Sequence, residues 1–220
     1  MEPTHAAQRC LHCGTCCRNG GPSLHLEDRF LVERGFLHTR HLYTIRRGEP
    51  ARDPIRGELV RVESEIIKIK GSGGRWACRF LDEEANRCRI YARRPLECRE
   101  LACWDTSRIE QMYDRGRLSR RDLLAGIEGL WELIEDHERR CSYDQIQNWQ
   151  KAASGPQAGK ARAQLAEAEA YDAELRKRIV ARGRIEPAML DFLLGRPLET
   201  ILRTIHRAAS GGSGRPTSRG

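Results

Sequence analysis

Nine cysteines carry most of the chemistry this 220-residue chain can do. Four stand in Cys10-Leu-His-Cys13-Gly-Thr-Cys16-Cys17, a C-x-x-C-x-x-C-C run. Two-residue spacing lets successive thiolates curl around one centre while backbone amides point at the sulfurs; in ferredoxins the same spacing supplies three ligands of a [4Fe–4S] cluster, with the fourth from elsewhere. Gly14 leaves room for the tight turn between ligands. Cys16 and Cys17, being adjacent, are expected to point in different directions, one of them facing a second centre or packing. The second group is Cys78, Cys88, Cys98 and Cys103. Its spacings are too wide for the paired knuckles of a zinc ribbon. Four plus four thiolates satisfy two tetrahedral metals, or one cluster and one zinc, and spacing alone does not apportion them. His12, between two candidate ligands, is expected to be exposed.

The two groups together, C-x-x-C-x-x-C-C followed by C-x-F-L…C-x-I-Y-x-x-R-P-x-x-C-R, resemble the zinc- or iron-chelating cysteine-cluster (CxxCxxCC, YkgJ-type) family over residues 10–103. The resemblance implies a small α+β metal-chelating domain, with an iron–sulfur cluster as cofactor and zinc as the alternative. It marks Cys10, Cys13, Cys16, Cys17, Cys78, Cys88 and Cys98 as ligands, Cys103 as a further cysteine of a variant pattern, and Tyr91, Arg94, Pro95 and Arg99 as motif positions. Some proteins with this domain look like flagellin lysine N-methylases. This chain lacks a glycine-rich strand-to-helix loop for a methyl-donor nucleotide.

Four thiolates around Zn²⁺ or a [4Fe–4S]²⁺ core carry a net charge of about −2. Arg94 and Arg99, flanking Cys98, are placed to donate hydrogen bonds to such sulfurs and offset that charge. Tyr91 reads as a core residue. His137 and Cys141, four apart, are spaced to grip a metal from one helix face; the preferred expectation is a hydrogen-bonded buried histidine and a small buried thiol. The chain offers no telling pair of carboxylates, no Ser/His/Asp arrangement and no phosphate-binding loop.

The elements that must position these groups are short. Leu26–Arg34 reads as a helix, apolar at Leu26, Phe30 and Leu31 and stopped by Gly35. The β-branched run in 58–70 predicts one or two strands, and strand-like pieces follow around 76–81 and 87–91. Pro95 suits the first turn of a helix. Ser119 and Asp122 form a capping-box pattern opening a helix with Leu123, Ile127, Leu130, Ile134, His137 and Cys141 on one face. Ala153-Ser154-Gly155-Pro156 breaks the chain. A second long helix then aligns Leu165, Ala168, Asp172, Leu175 and Ile179, with Asp172 a polar flaw in the stripe. Shorter helices start near Pro187 and Pro197. The expected organisation is α+β: a cysteine-cluster domain over 1–106, a mainly helical region over 107–207, and a disordered tail over 208–220.

Leu, Ile, Val and Phe make up one fifth of the residues, the edge below which charged chains tend not to fold on apolar burial alone; bound metal is expected to help. The net charge of +8 is divided evenly between the halves, which argues against a nucleic-acid-binding stripe. No apolar run reaches the roughly 20 residues of a membrane span, and none near the start resembles a signal peptide. The expected compartment is the cytoplasm, where clustered cysteines bind metal or do redox work. The leading expectation is an iron–sulfur or mixed-metal protein acting on a protein partner by electron transfer or cluster-assisted chemistry. The alternatives are a zinc-stabilised adaptor, or a carrier of exchangeable iron or zinc. Homodimerisation through the C-terminal helices is a further expectation.

Overall fold

The computed structural model describes residues 10, 12–183 and 185–210. The first element is one turn of helix, α1 (Thr15–Arg18), inside the first cysteine run. A 3-10 turn at Leu26–Asp28 leads into α2 (Arg29–Glu33). Six short strands follow, β1 (Leu42–Ile45), β2 (Pro50–Arg52), β3 (Leu59–Arg61), β4 (Ile66–Ile69), β5 (Leu81–Asp82) and β6 (Arg87–Cys88), paired antiparallel as β1–β4, β2–β3 and β5–β6. The rest is helical: α3 (Leu96–Glu100), α4 (Ser107–Met112), α5 (Arg120–Leu124), α6 (Leu130–Arg140), α7 (Tyr143–Ala152), α8 (Ala158–Arg182), α9 (Leu190–Leu193) and α10 (Leu198–Ser210). The α+β class with a mainly helical C-terminal region is the one the sequence predicts.

β4 is the spine. Its apolar residues Ile67 and Ile69 are fully buried, and it pairs on one side with β1, Leu42 opposite Ile69 and Ile45 opposite Ile66. On its other side the Leu24 amide donates to Ile67 O at 2.9 Å, and the Leu118 amide donates in turn to Leu24 O at 3.0 Å. The main hydrophobic cluster therefore mixes Leu24, Leu42, Ile67 and Ile69 with Leu118, Ile134, Ile179, Phe192 and Leu194, and it includes Cys78 with Cys17 packed against it.

Several local expectations are corrected. Of the three apolar residues Leu26, Phe30 and Leu31 only Leu31 is buried; Leu26 is 49% and Phe30 46% exposed, because the 3-10 turn rotates them off the face that a continuous α-helix would align. The capping box forms as expected, Asp122 N donating to Ser119 Oγ at 3.2 Å and Ser119 N to Asp122 Oδ2 at 2.8 Å. Its helix nevertheless ends at Leu124, and α6 restarts at Leu130 after Gly129. Gly126 and Gly129 each cost a helix interior about 1 kcal/mol, which the apolar spacing alone conceals, and Ile127 is left exposed. The piece expected around Trp76–Leu81 is a strand only from Leu81, and the one at 87–91 only as far as Cys88. Helix α7 has no counterpart in the sequence reading. Helix α10 runs through Ser210, three residues into the segment expected to be a disordered tail; residues 211–220 lie outside those described.

Asp172, the apparent flaw in the α8 stripe, is a hub. It lies 2.8 Å from His137 Nε2 and accepts from Arg176 Nε and the Leu198 amide, each at 3.0 Å. Beside it, fully buried Arg46 donates to Cys141 O at 3.1 Å and to Glu138 at 3.3 Å, while Arg120 bridges Glu65 and Glu138. Buried charge of this kind is tolerated because every member has partners of opposite sign or backbone acceptors. It fastens the β1–β4 region to the C-terminal helices. Among the described residues no helix is long and apolar enough to cross a membrane.

Candidate metal centre

Gly14 precedes α1 with φ +72°, a backbone setting other residues rarely adopt, so the chain can turn between Cys13 and Cys16. Arg18 at the end of α1 donates to Cys13 O at 2.8 Å and hydrogen-bonds Asn86 in the β5–β6 turn. One arginine thus ties the first cysteine run to the second cysteine segment. The decisive link is backbone: the Cys78 amide donates to Cys17 O at 2.8 Å. Leu81, whose amide bonds to Cys78 O at 2.9 Å, pairs with Cys88 across β5–β6. Cys98 arrives on α3, whose start is fixed from outside: the Leu96 amide donates to Asp28 Oδ1 at 2.8 Å, and the Ser23 amide to Glu97 Oε2 at 2.7 Å.

All nine cysteines are free thiols. Cys10, Cys13, Cys16 and Cys103 are exposed, Cys17, Cys88 and Cys98 half-buried and Cys78 buried. Successive side chains on a helix point about 100° apart, so Cys16 faces out and Cys17 in, while their sulfurs still hydrogen-bond. That bond holds Cys16 at about 6, and the matching bond between Cys17 and Cys88 holds Cys88 at about 6. Cys17 is pushed up correspondingly. The Cys13 sulfur and Thr15 hydroxyl are hydrogen-bonded at 3.2 Å, which favours the thiolate and lowers that pKa too. Burial raises Cys78 and Cys98. Hydrogen bonding to Cys17 thus favours the thiolate form at Cys16 and Cys88, the form that binds metal.

Arg94 is near enough that its charge helps hold down both Cys16 and Cys88. Its guanidinium stacks 3.7 Å over the Tyr91 ring, and its Nε is buried with no hydrogen-bond partner among the described residues. Tyr91 is 39% exposed, which corrects the expectation of a core residue: it sits in a surface 3-10 turn between Arg94 and the exposed His12, whose ring centroid is 4.9 Å away. Arg99 is exposed, and its charge bears on Asp28. Pro95 is buried at the N-cap of α3. His137 and Cys141 lie in the ionic network and the helical core, away from the eight-cysteine group.

The sequence reading passed over Glu97, Asp28, Arg18 and Asn86. Burial pushes Glu97 up, yet its contact with His25 at 3.4 Å, the Lys68 charge and the Ser23 amide hold it below the usual carboxylate range. A carboxylate between Pro95 and Cys98, in a helix that must be anchored, was the available signal.

Residues 9–116 match the model of the family CxxCxxCC, described as a putative zinc- or iron-chelating domain. Those residues form a CxxCxxCC domain. No curated protein and no solved structure matches the chain. The span of the CxxCxxCC domain includes all eight grouped cysteines and stops short of Cys141. Among the described residues, no three His, Cys, Asp or Glu side chains converge closely enough to hold a metal ion; the thiols hydrogen-bond to one another instead. The CxxCxxCC domain nonetheless fits a thiophilic metal on two counts. Its donors are soft sulfurs, two of them with the thiolate form favoured, and the buried Arg94 Nε has no hydrogen-bond acceptor among the described residues.

Proposed function

We propose that the CxxCxxCC domain holds an iron–sulfur centre on cysteine thiolates, [4Fe–4S] in type, and uses it for electron transfer or cluster-assisted chemistry on a protein partner. The observation that carries this reading is the exposure of Cys10, Cys13, Cys16 and Cys103 around a half-buried set of thiols. A closed structural site hides its ligands, whereas ligands at the surface leave a centre within reach of a partner. Trp104 is 46% exposed directly after Cys103, and Tyr91 lies beside Cys16 through Arg94. Exposed aromatics with arginine are the composition of protein contact surfaces.

A bound cluster would supply a redox couple tuned by charge and hydrogen bonds at its sulfurs. The chain's own residues do the rest. Cys17 and Thr15 stabilise neighbouring thiolates by hydrogen bonding. Arg94 offsets the negative charge of assembled thiolates and is held for that purpose against Tyr91. Asp28 and Glu97 fix the start of α3, and with it the approach of Cys98. Arg18 clamps the first run onto the β5–β6 turn.

One observation favours a second reading, a zinc-stabilised adaptor: Cys78 belongs to the main hydrophobic core and Cys17 packs against it, where a closed four-cysteine zinc site contributes folding energy and does no chemistry. Metal and sulfide analysis of protein purified without oxygen separates the two, with visible and EPR spectra before and after dithionite. The iron–sulfur reading expects about four or more iron per chain with matching sulfide, and a broad absorbance that bleaches on reduction. A colourless protein holding only zinc removes it in favour of the adaptor.

A further inference from the structure

We propose that the cavity between Phe36 and the segment that follows Cys88 is a binding site for a small organic anion, a single ring or short apolar chain that carries a carboxylate. None of the nine cysteines lines it, so the inference does not rest on the metal reading.

The cavity has a volume of about 220 Å³ and is lined by Phe36, Arg89, Ile90, Ala92 and Arg93. That is below the roughly 300–1,000 Å³ of pockets that enclose drug-sized ligands. It therefore suits one ring or a few carbons with an anionic head, and is too small for a nucleotide. The lining divides by chemistry. Phe36, Ile90 and Ala92 offer apolar surface, Arg89 and Arg93 bring two permanent positive charges, and no described carboxylate lines the cavity to offset them.

Both walls are held by the fold before any ligand arrives. On one side Gly35, at φ +72°, turns the chain out of α2. The Leu37 amide then donates to Leu31 O at 2.8 Å, and Leu37 is buried. Phe36, caught between these two points, stays at the surface, 38% exposed. On the other side the Arg89 amide donates to Phe80 O at 2.8 Å, and the Arg93 amide to Ile90 O at 2.8 Å, at the 3-10 turn Tyr91–Arg93. Ile90 packs against the main hydrophobic cluster and fixes the floor.

Arg93 is the anchor. Its guanidinium lies 3.8 Å over the Phe36 ring. Stacking occupies the face of the guanidinium and leaves the N–H groups at its edge free, the arrangement that receives a carboxylate in bidentate fashion. Other surface arginines of this chain answer carboxylates of their own, Arg29 with Glu33, Arg75 with Glu83 and Arg178 with Glu174, whereas Arg89 and Arg93 have none among the described residues. An anion seated between them supplies that partner, while its apolar part covers Phe36 and Ile90.

The test titrates the full-length protein with sodium benzoate and follows the arginine Nε–Hε resonances in proton–nitrogen NMR spectra. Benzyl alcohol keeps the ring without the charge, and inorganic phosphate keeps charge without the ring. The expected result is saturable binding of benzoate, with both controls weaker by about 10-fold or more. Arg89→Ala and Arg93→Ala should each weaken benzoate about 10-fold, the scale of one lost hydrogen bond to a charged group. Ala92→Trp fills the cavity and should abolish binding. Arg75→Ala removes the same charge far from the lining and should leave binding unchanged. Circular dichroism checks the fold of each variant; should Arg93→Ala lose it, Arg89→Ala and Ala92→Trp decide. Wild-type protein that shows no saturable benzoate binding overturns the site. Equal losses in Arg75→Ala, Arg89→Ala and Arg93→Ala overturn it in favour of net charge alone. Phosphate binding as tightly as benzoate overturns it too, leaving two exposed cations without a ring site. The metal and sulfide content that tests the metal reading is untouched by any of these outcomes.

Discussion

The amide of Cys78 donates a hydrogen bond to the carbonyl of Cys17 at 2.8 Å. The two cysteine motifs are thus registered by main chain, before any sulfur binds anything. The same crossing continues at Pro22, whose carbonyl accepts from the Ile69 amide at 3.0 Å, so the first run lies directly against the end of β4. Such close approach of two backbones leaves no room for side chains between them.

Gly21 is where that constraint is sharpest. A Cβ there would stand 2.1 Å from Ile69 O, a backbone atom that cannot rotate away. Gly21→Ala should therefore destabilise the chain by about 1–3 kcal/mol, the usual cost of overpacking, and lower its metal content by parting the two motifs. Gly126→Ala, where a Cβ meets nothing within 4 Å, is the control and should leave metal content unchanged. Denaturant melts with metal analysis on both variants check this; equal behaviour would mean that the crossing does not hold the site.

Arg94 is the charged group with the clearest claim on the thiolates. Removing it takes a positive charge from beside Cys16 and Cys88, so both thiol pKa values should rise and bound thiolates should become costlier. Arg94→Ala is expected to weaken metal retention about 10-fold or more, the scale of lost supporting contacts around a metal site, with Arg94→Lys intermediate. Competition against a chelator at fixed pH measures it. Retention equal to wild type would strip Arg94 of this role.

The buried pair His137–Asp172 makes stability depend on pH in two windows. Burial pushes the His137 pKa below its ordinary value, its bond to Asp172 notwithstanding. As pH falls through about 6.5 the unfolded histidine takes a proton that the folded one resists, so stability drops on acidification. Asp172 is buried too, but His137 and Arg176 hold its pKa well below the usual range. Its contribution is present above about pH 4, the unfolded value, and is lost as pH falls toward the folded one. His137→Gln should flatten the decline between pH 7 and pH 5 relative to wild type. Asp172→Ala should cost about 3–5 kcal/mol at pH 7, since it strands buried Arg176. Urea titrations at pH 7, 6 and 5 test both; parallel curves for His137→Gln and wild type would place the acid sensitivity elsewhere.

Spacing made the cysteine-cluster family legible, because a run such as that of Cys10–Cys17 is local and chemically distinctive. It could not show that Cys17 belongs beside Cys78, since that neighbourhood is created by one backbone bond between distant segments. Tyr91 was misread because an amphipathic ring is equally at home in a core or stacked under an arginine at the surface. The helix expected from Ser119 to Cys141 kept its apolar spacing across Gly126 and Gly129, and periodicity does not register where backbone entropy cuts a helix in two. Asp172 looked like a defect for a similar reason. Its partners His137 and Arg176 were in view, but the Leu198 amide comes from another part of the fold, so a hub read as a flaw.

Cys141 provides the last separation between ligand and packing. It is fully buried with Tyr143, Ile146 and Ala168, its sulfur 3.7 Å from Ala168 O. Burial, reinforced by the Asp172 and Glu138 charges, pushes its thiol up to about 12, so at neutral pH it is a small neutral filler rather than a thiolate. Cys141→Ala should cost about 1 kcal/mol for the lost buried sulfur and leave metal and sulfide content at the wild-type level. In the native wild-type protein Cys141 should also resist alkylation until the chain is unfolded. A loss of metal in Cys141→Ala without loss of fold would make the ninth cysteine a ligand.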